Sequence, residues 1–119
     1  MTTKVDGWIG VDLDGTLAIY SHWQGAQHIG EPIKPMVDRV KRWLAAGNDV
    51  RIFTARMADG LISTRQRIEM WTFAVFGQVL PVTNIKDYGM AELWDDRAVQ
   101  VVENTGEAVG QLPSRRGLS

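Results

Sequence analysis

The chain has 119 residues, 45% of them hydrophobic and 23% charged, with no cysteine and a formal net charge of −1. This length and composition fit one domain able to bury its own core. They exclude a disulfide scaffold, a thiolate metal site and a cysteine nucleophile, and the charge balance gives no general attraction to nucleic acid or membrane surfaces.

The first residues, Met-Thr-Thr-Lys-Val-Asp-Gly-Trp, contain no apolar signal core. No run approaches the ~18 apolar residues that span a bilayer. The expectation is a soluble, cytoplasmic protein with no membrane partner. Trp8-Ile9-Gly10-Val11 reads as a buried strand whose tip is the acidic stretch Asp12-Leu13-Asp14-Gly15. Residues 18–35, with Gly25, Gly30, Pro32 and Pro35, read as a long loop or hairpin. A helix is predicted to start near Pro35, since proline suits the first helical turn. Met36, Val37, Val40 and Leu44 share one of its faces, and Gly47 stops it.

Asp49-Val50-Arg51-Ile52-Phe53 is the second predicted strand, with Thr54 at its end. A second helix is predicted over about residues 61–75, with Leu61, Ile68, Trp71 and Val75 facing inward and Gly77 closing it. Residues 79–83 form a short extended segment that Pro81 places at a sheet edge. Ala91-Glu92-Leu93-Trp94 is a further strand ending at Asp95-Asp96, and Val99–Val102 is the last candidate. The expected organisation is one core over residues 1–107 and a loosely ordered tail over 108–119. Strands alternating with helices predict an α/β domain, a Rossmann-like three-layer sandwich with a mostly parallel sheet. In such sheets ligands bind beyond the carboxyl ends of the strands, where the polar residues of this chain fall.

The strongest local signal is Val11-Asp12-Leu13-Asp14-Gly15-Thr16-Leu17. A turn at Gly15 lets Asp12 and Asp14 address one site, and clustered carboxylates are costly unless a cation sits among them. Magnesium suits hard oxygen ligands. Asp95-Asp96 brings two more carboxylates to the same rim. Asp-Gly and Asp-Asp are also common turn sequences, so each pair alone carries little. Thr54, in Phe53-Thr54-Ala55-Arg56, offers a hydroxyl for a phosphate oxygen or merely a turn cap. Lys86 can reach the site after a turn at Tyr88-Gly89, or be a solvated surface lysine.

Asp12-Leu13-Asp14-Gly15-Thr16 after an apolar strand resembles the first motif of the haloacid dehalogenase (HAD) superfamily. Thr54, Lys86 and Asp95-Asp96 follow in that superfamily's order, and the pattern covers residues 8–102. The wording Thr54-Ala55-Arg56 and Asp95-Asp96-Arg97-Ala98 is similar to phosphatase domains beside polynucleotide kinases and to small bacterial and phage relatives. The resemblance implies a magnesium-dependent phosphomonoester hydrolase. In it Asp12 is the nucleophile that forms an aspartyl-phosphate, and Asp14 is general acid and then general base. Thr54, Ala55, Arg56 and Lys86 hold the phosphoryl group, with Lys86 pairing with the nucleophile. The metal is held by Asp12, the Asp14 main-chain carbonyl, Asp95 and Asp96.

Two departures accompany the resemblance. The nine-residue step from Lys86 to Asp95 leaves no room for the helix that many members carry there, so Arg56 and Arg97 are alternative cations. The loop after Asp14 is long enough for a flap but not for a cap domain, which implies a capless, open site. Such a site accepts a phosphorylated small molecule or a nucleic-acid end, or borrows a lid from another subunit of a homo-oligomer. Competing readings are a catalytically silent HAD-like binding module and phosphoryl transfer to an acceptor other than water. A signalling receiver domain uses similar residues in a different order.

Overall fold

The computed structural model describes residues 2–110. Most of the expected tail, residues 111–119, lies outside the described residues. The elements are β1 (Trp8–Val11), α1 (Lys34–Ala45), β2 (Asp49–Phe53), a short 3₁₀ helix (Ala55–Asp59), α2 (Ile62–Phe76), β3 (Val82–Thr83) and β4 (Met90–Trp94). Their strands form one sheet in the order β3-β2-β1-β4, and every pairing is parallel. The fold class is therefore α/β with an all-parallel sheet.

The two helices form where proline, glycine and apolar spacing put them. Pro35 occupies the first turn of α1, which buries Met36, Val37, Val40 and Trp43. Gly47, past its end, adopts φ +88°, a left-handed conformation that glycine reaches without steric cost. Gly77 ends α2 in the same way, its N–H donating to the Phe73 carbonyl at 2.9 Å. Ile68 and Trp71 face inward as expected, but Leu61 is 54% exposed, because it precedes the helix as its N-cap.

Ile9 and Val11 of β1, Val50 and Ile52 of β2 and Val82 of β3 join the buried residues of both helices in one core. The helices touch each other. Both therefore lie on the same face of the sheet, where two successive right-handed crossovers in one direction place them. This corrects the three-layer expectation: among the described residues no helix covers the other face. The third layer is missing because residues 84–89, which join β3 to β4 across two intervening strands, contain no helix.

Val99–Val102 is not a strand of the sheet. The segment folds back on itself, with Val101 bridging Ala108, Val102 N–H donating to Glu107 and Val109 N–H to Gln100. Asn104 (φ +64°) and Gly106 (φ +79°) make the reversal. Local pairing across this turn outcompetes addition to the sheet. No helix among the described residues is long and apolar enough to cross a membrane.

Candidate active site

Parallel pairing of β1 with β4 builds the centre of the site. Val11 is in register with Trp94, so the next residues, Asp12 and Asp95, leave the sheet side by side. Asp12 N–H extends the ladder by donating to the Trp94 carbonyl at 2.9 Å. One carboxylate oxygen from each of Asp12, Asp95 and Asp96 lies within 4.8 Å of the others. Asp95 is shaped by its own turn, its Oδ1 accepting from the backbone N–H groups of Arg97 (2.6 Å) and Ala98 (3.2 Å).

The loop after β1 is anchored by Leu13 and Leu17, both fully buried. The Leu13 carbonyl accepts from the N–H groups of Leu17 and Ala18 at 2.9 Å each. Gly15 sits at φ +87°, and a Cβ there would lie 2.7 Å from Asp96 Oδ2. Glycine is thus required twice, for the left-handed backbone and for close approach to a carboxylate. The Thr16 hydroxyl donates to Asp96 Oδ1 at 3.2 Å. Gly15→Ala is expected to cost about 1–2 kcal/mol from the φ alone and more from the clash. It should also weaken divalent-cation affinity, both effects being readable from melting curves with and without cation.

Asp12 carries the electrostatic strain of the cluster. Burial, a side-chain hydrogen bond with Asp96 and the charges of Asp95 and Asp96 push its carboxyl up to about 8, against the opposing effect of the Leu13 N–H. Like charges this close must be relieved by a proton or a cation. The donor set is all carboxylate oxygen, with neither sulfur nor imidazole, a set that could hold a hard cation.

Asp14 points elsewhere. Both of its oxygens are held by Arg56, with Nε to Oδ2 at 2.7 Å and Nη2 to Oδ1 at 2.9 Å. Its carboxylate is therefore not part of the three-aspartate cluster. Arg56 also donates to the carbonyls of Ala26 (3.2 Å) and His28 (2.8 Å), and its guanidinium lies 5.0 Å from the centre of the Trp23 ring. The arginine side chain is 4% exposed. One guanidinium thus ties the end of β2 to the β1 loop and to the flap over residues 23–28. Arg56→Ala is expected to cost roughly 2–3 kcal/mol, because a mostly buried fork loses its carboxylate and two carbonyls. Arg56→Lys should recover less than half of that, since an ammonium cannot reproduce the fork. Urea denaturation of the two variants checks both.

Thr54, at the end of β2, is buried, and its hydroxyl caps the 3₁₀ helix by accepting from Arg56 N–H at 3.1 Å. The capping role is realised, and the hydroxyl still has a proton to donate. A cleft of about 590 Å³ brings Asp12, Asp14, Thr54, Ala55, Arg56, Asp95 and Asp96 together, with Trp23, Asn84 and Arg97 at its walls.

Lys86 is the sequence-predicted residue that this cleft does not include; it is exposed. The reason is topological. β4 must begin beside Trp8, at the amino end of β1, so the connection runs away from the carboxyl rim. It is fastened there by Trp8 Nε1 donating to Asp87 Oδ1 at 2.8 Å and by Trp8 N–H donating to the Gly89 carbonyl at 2.8 Å. Of the two alternative cations, Arg97 lines the cleft and Arg56 lies within it. The Thr16–Asp96 contact and the Asn84 wall were not anticipated. Thr16 and Asp96 are 80 residues apart, and no local pattern pairs them.

Fold and site together define an α/β protein with a carboxylate cluster, a capping threonine and a clamped arginine at the carboxyl rim of a parallel sheet. Comparison with protein-family models gives no match, and neither does comparison with curated proteins or with solved structures.

Proposed function

We propose that this chain is a capless HAD-type core that hydrolyses phosphomonoesters with the help of magnesium, using Asp12 as nucleophile. The observation that carries the reading is the convergence of Asp12, Asp95 and Asp96 beyond adjacent parallel strands, in one cleft with Thr54 and Arg56. A phosphate dianion would be repelled by this cluster on its own. Magnesium held by Asp12, Asp95 and Asp96 would offset that repulsion and stabilise charge on the phosphoryl oxygens.

In the proposed reaction an Asp12 carboxylate oxygen forms a bond to phosphorus as the bond to the ester oxygen breaks. Asp14, after releasing Arg56 and taking up a proton from solvent, supplies the proton that the leaving oxygen takes. Water then attacks the aspartyl-phosphate, Asp14 takes its proton, and phosphate departs from Asp12. Thr54 donates to a phosphoryl oxygen. Both Asp14 oxygens are held by Arg56, so proton transfer requires one of those bonds to be exchanged for the leaving oxygen or water. The arriving phosphate is the natural competitor for the guanidinium.

A panel of aryl phosphates, phosphorylated metabolites, nucleotides and 3′- or 5′-phosphorylated oligonucleotides, assayed for phosphate release with magnesium and with chelator, tests this. Magnesium-dependent release is the expected result. The position of Lys86 outside the cleft favours a second reading, a silent binding module, which predicts cation binding with no turnover of any panel member.

A further inference from the structure

The active-site cleft is lined by two unlike sets of side chains. One is ionic and polar, with Asp12, Asp95 and Asp96 beside Thr54 and Arg56. The other is aromatic: Tyr20 and Trp23, both from the loop after β1, face the same space. Its volume of about 590 Å³ is that of a small-molecule site and exceeds what a phosphoryl group alone fills. Trp23 is 56% exposed and Tyr20 42%. Single exposed aromatic residues are ordinary on a protein surface, so exposure by itself assigns nothing. The mounting of Trp23 and its place beside the reacting groups carry the argument.

The loop that carries Trp23 is fastened on both sides of it. Before it, Ile19 N–H donates to the Glu31 carbonyl at 2.9 Å. After it, Arg56 holds the carbonyls of Ala26 and His28, Arg67 Nε donates to the Gln27 carbonyl at 2.8 Å, and Ile29 is buried in the core. A ring held this way loses little freedom when a ligand meets it. Arg56 also sets where the ring stands. Its guanidinium lies over the indole, 5.0 Å from the ring centre, and bonds both oxygens of Asp14. Trp23 is thus one guanidinium away from the carboxylate assigned to the leaving oxygen. What it meets is the group attached to that oxygen rather than the phosphoryl group. Since the guanidinium covers one face of the indole, the exposed surface is the other face and the rim. A flat π surface there gains more from a second flat ring than from an aliphatic chain.

Resting on the phosphatase reading above, we propose that Trp23 is a specificity-determining residue that stacks on a planar aromatic ring in the leaving group, with Tyr20 as a second aromatic wall. The substrate class is then a phosphomonoester whose alcohol carries such a ring. The ring is attached close to the ester oxygen, as in an arylmethyl phosphate, or one sugar away, as in a nucleotide. The competing role for Trp23 is to cover Arg56 and hold the flap. That role makes no distinction among leaving groups, so loss of the indole would slow every substrate alike.

The test compares kcat/KM within two matched pairs: benzyl against cyclohexylmethyl phosphate, and a nucleoside 5′-monophosphate against ribose 5-phosphate. Each pair shares its phosphate and differs in the ring. The native chain should favour the aromatic member of at least one pair by about tenfold, the scale of a single stack. The pair that shows the preference identifies where the ring sits. Trp23→Leu should reduce the preference to about twofold or less, and Trp23→Phe, which keeps a flat ring, should retain most of it. No preference in either pair overturns the proposal. So does a preference that Trp23→Leu leaves intact, or an equal loss on both members of each pair. Calorimetric binding of the phosphonate counterparts in magnesium needs no turnover. Aromatic preference in binding, lost in Trp23→Leu, with no ester hydrolysed keeps the stacking role and removes the phosphatase reading. Hydrolysis without preference does the reverse. Neither binding nor hydrolysis overturns both.

Discussion

Replacing Asp12 with Asn is expected to lower magnesium-dependent phosphate release by about 10³-fold or more, the usual scale for loss of a nucleophile. The amide keeps the shape of the carboxyl group but offers phosphorus no anionic oxygen. The same change should make the chelator-treated protein more stable at pH 8. It removes the one carboxylate that burial, Asp96 and Asp95 all disfavour. Opposite effects on activity and on metal-free stability are the signature of a site whose strain is kept for function. Loss of activity accompanied by equal destabilisation would point to a structural role for Asp12. Unchanged activity would remove it from the mechanism.

The second large effect is on stability as a function of pH. The Asp12 carboxyl is raised from 3.8 to about 8 in the folded chain. Between those values the folded state holds a proton that the unfolded state has lost. Stability is therefore fully present below about pH 4 for this group and declines as pH rises through 8. Asp38, Asp59 and Asp87 act in the opposite direction. Hydrogen bonds from Lys34, Thr64 and Trp8, respectively, hold their carboxyls below the usual range, so their contribution is lost as pH falls through it. Metal-free protein should be most stable at mildly acidic pH and lose several degrees of melting temperature, on the order of 4–8 °C per kcal/mol, by pH 8.

Magnesium should remove that decline, because a cation among Asp12, Asp95 and Asp96 does what the proton does in its absence. Binding must then release close to one proton below pH 8 and strengthen with pH. Melting curves at pH 5, 6.5 and 8, in chelator and in magnesium, read the first effect. Titration calorimetry in buffers of different ionisation enthalpy reads the second. Melting temperatures that respond to pH identically with and without magnesium would sink the assignment of the cluster as a cation site.

The elements with the clearest local chemistry were legible in the sequence. Trp8–Val11 is a short apolar run, Asp49–Phe53 alternates polar with apolar residues, Pro35 lies in the first turn of α1, and both helices stop at glycines. Each follows from a local preference that tertiary packing had no reason to override. The acidic tips of two strands were legible for the same reason. The place of Lys86 was not, because it depends on where β4 must start, at the amino end of β1 beside Trp8. Residues 99–102 have the composition of a strand, but a turn at Asn104 and Gly106 gave them a nearer partner than the sheet.

By itself, then, the sequence determined which residue types stand at the ends of which strands, since strand, turn and cap signals act over a few residues. The tertiary structure alone decided how those ends combine. Parallel register set Asp12 beside Asp95, and a contact across 42 residues turned Asp14 to Arg56 and away from the cluster. Two crossovers in one direction stacked both helices on one face, and among the described residues no helix lies on the other. Those outcomes are set by chain topology and long-range packing, which no local pattern encodes.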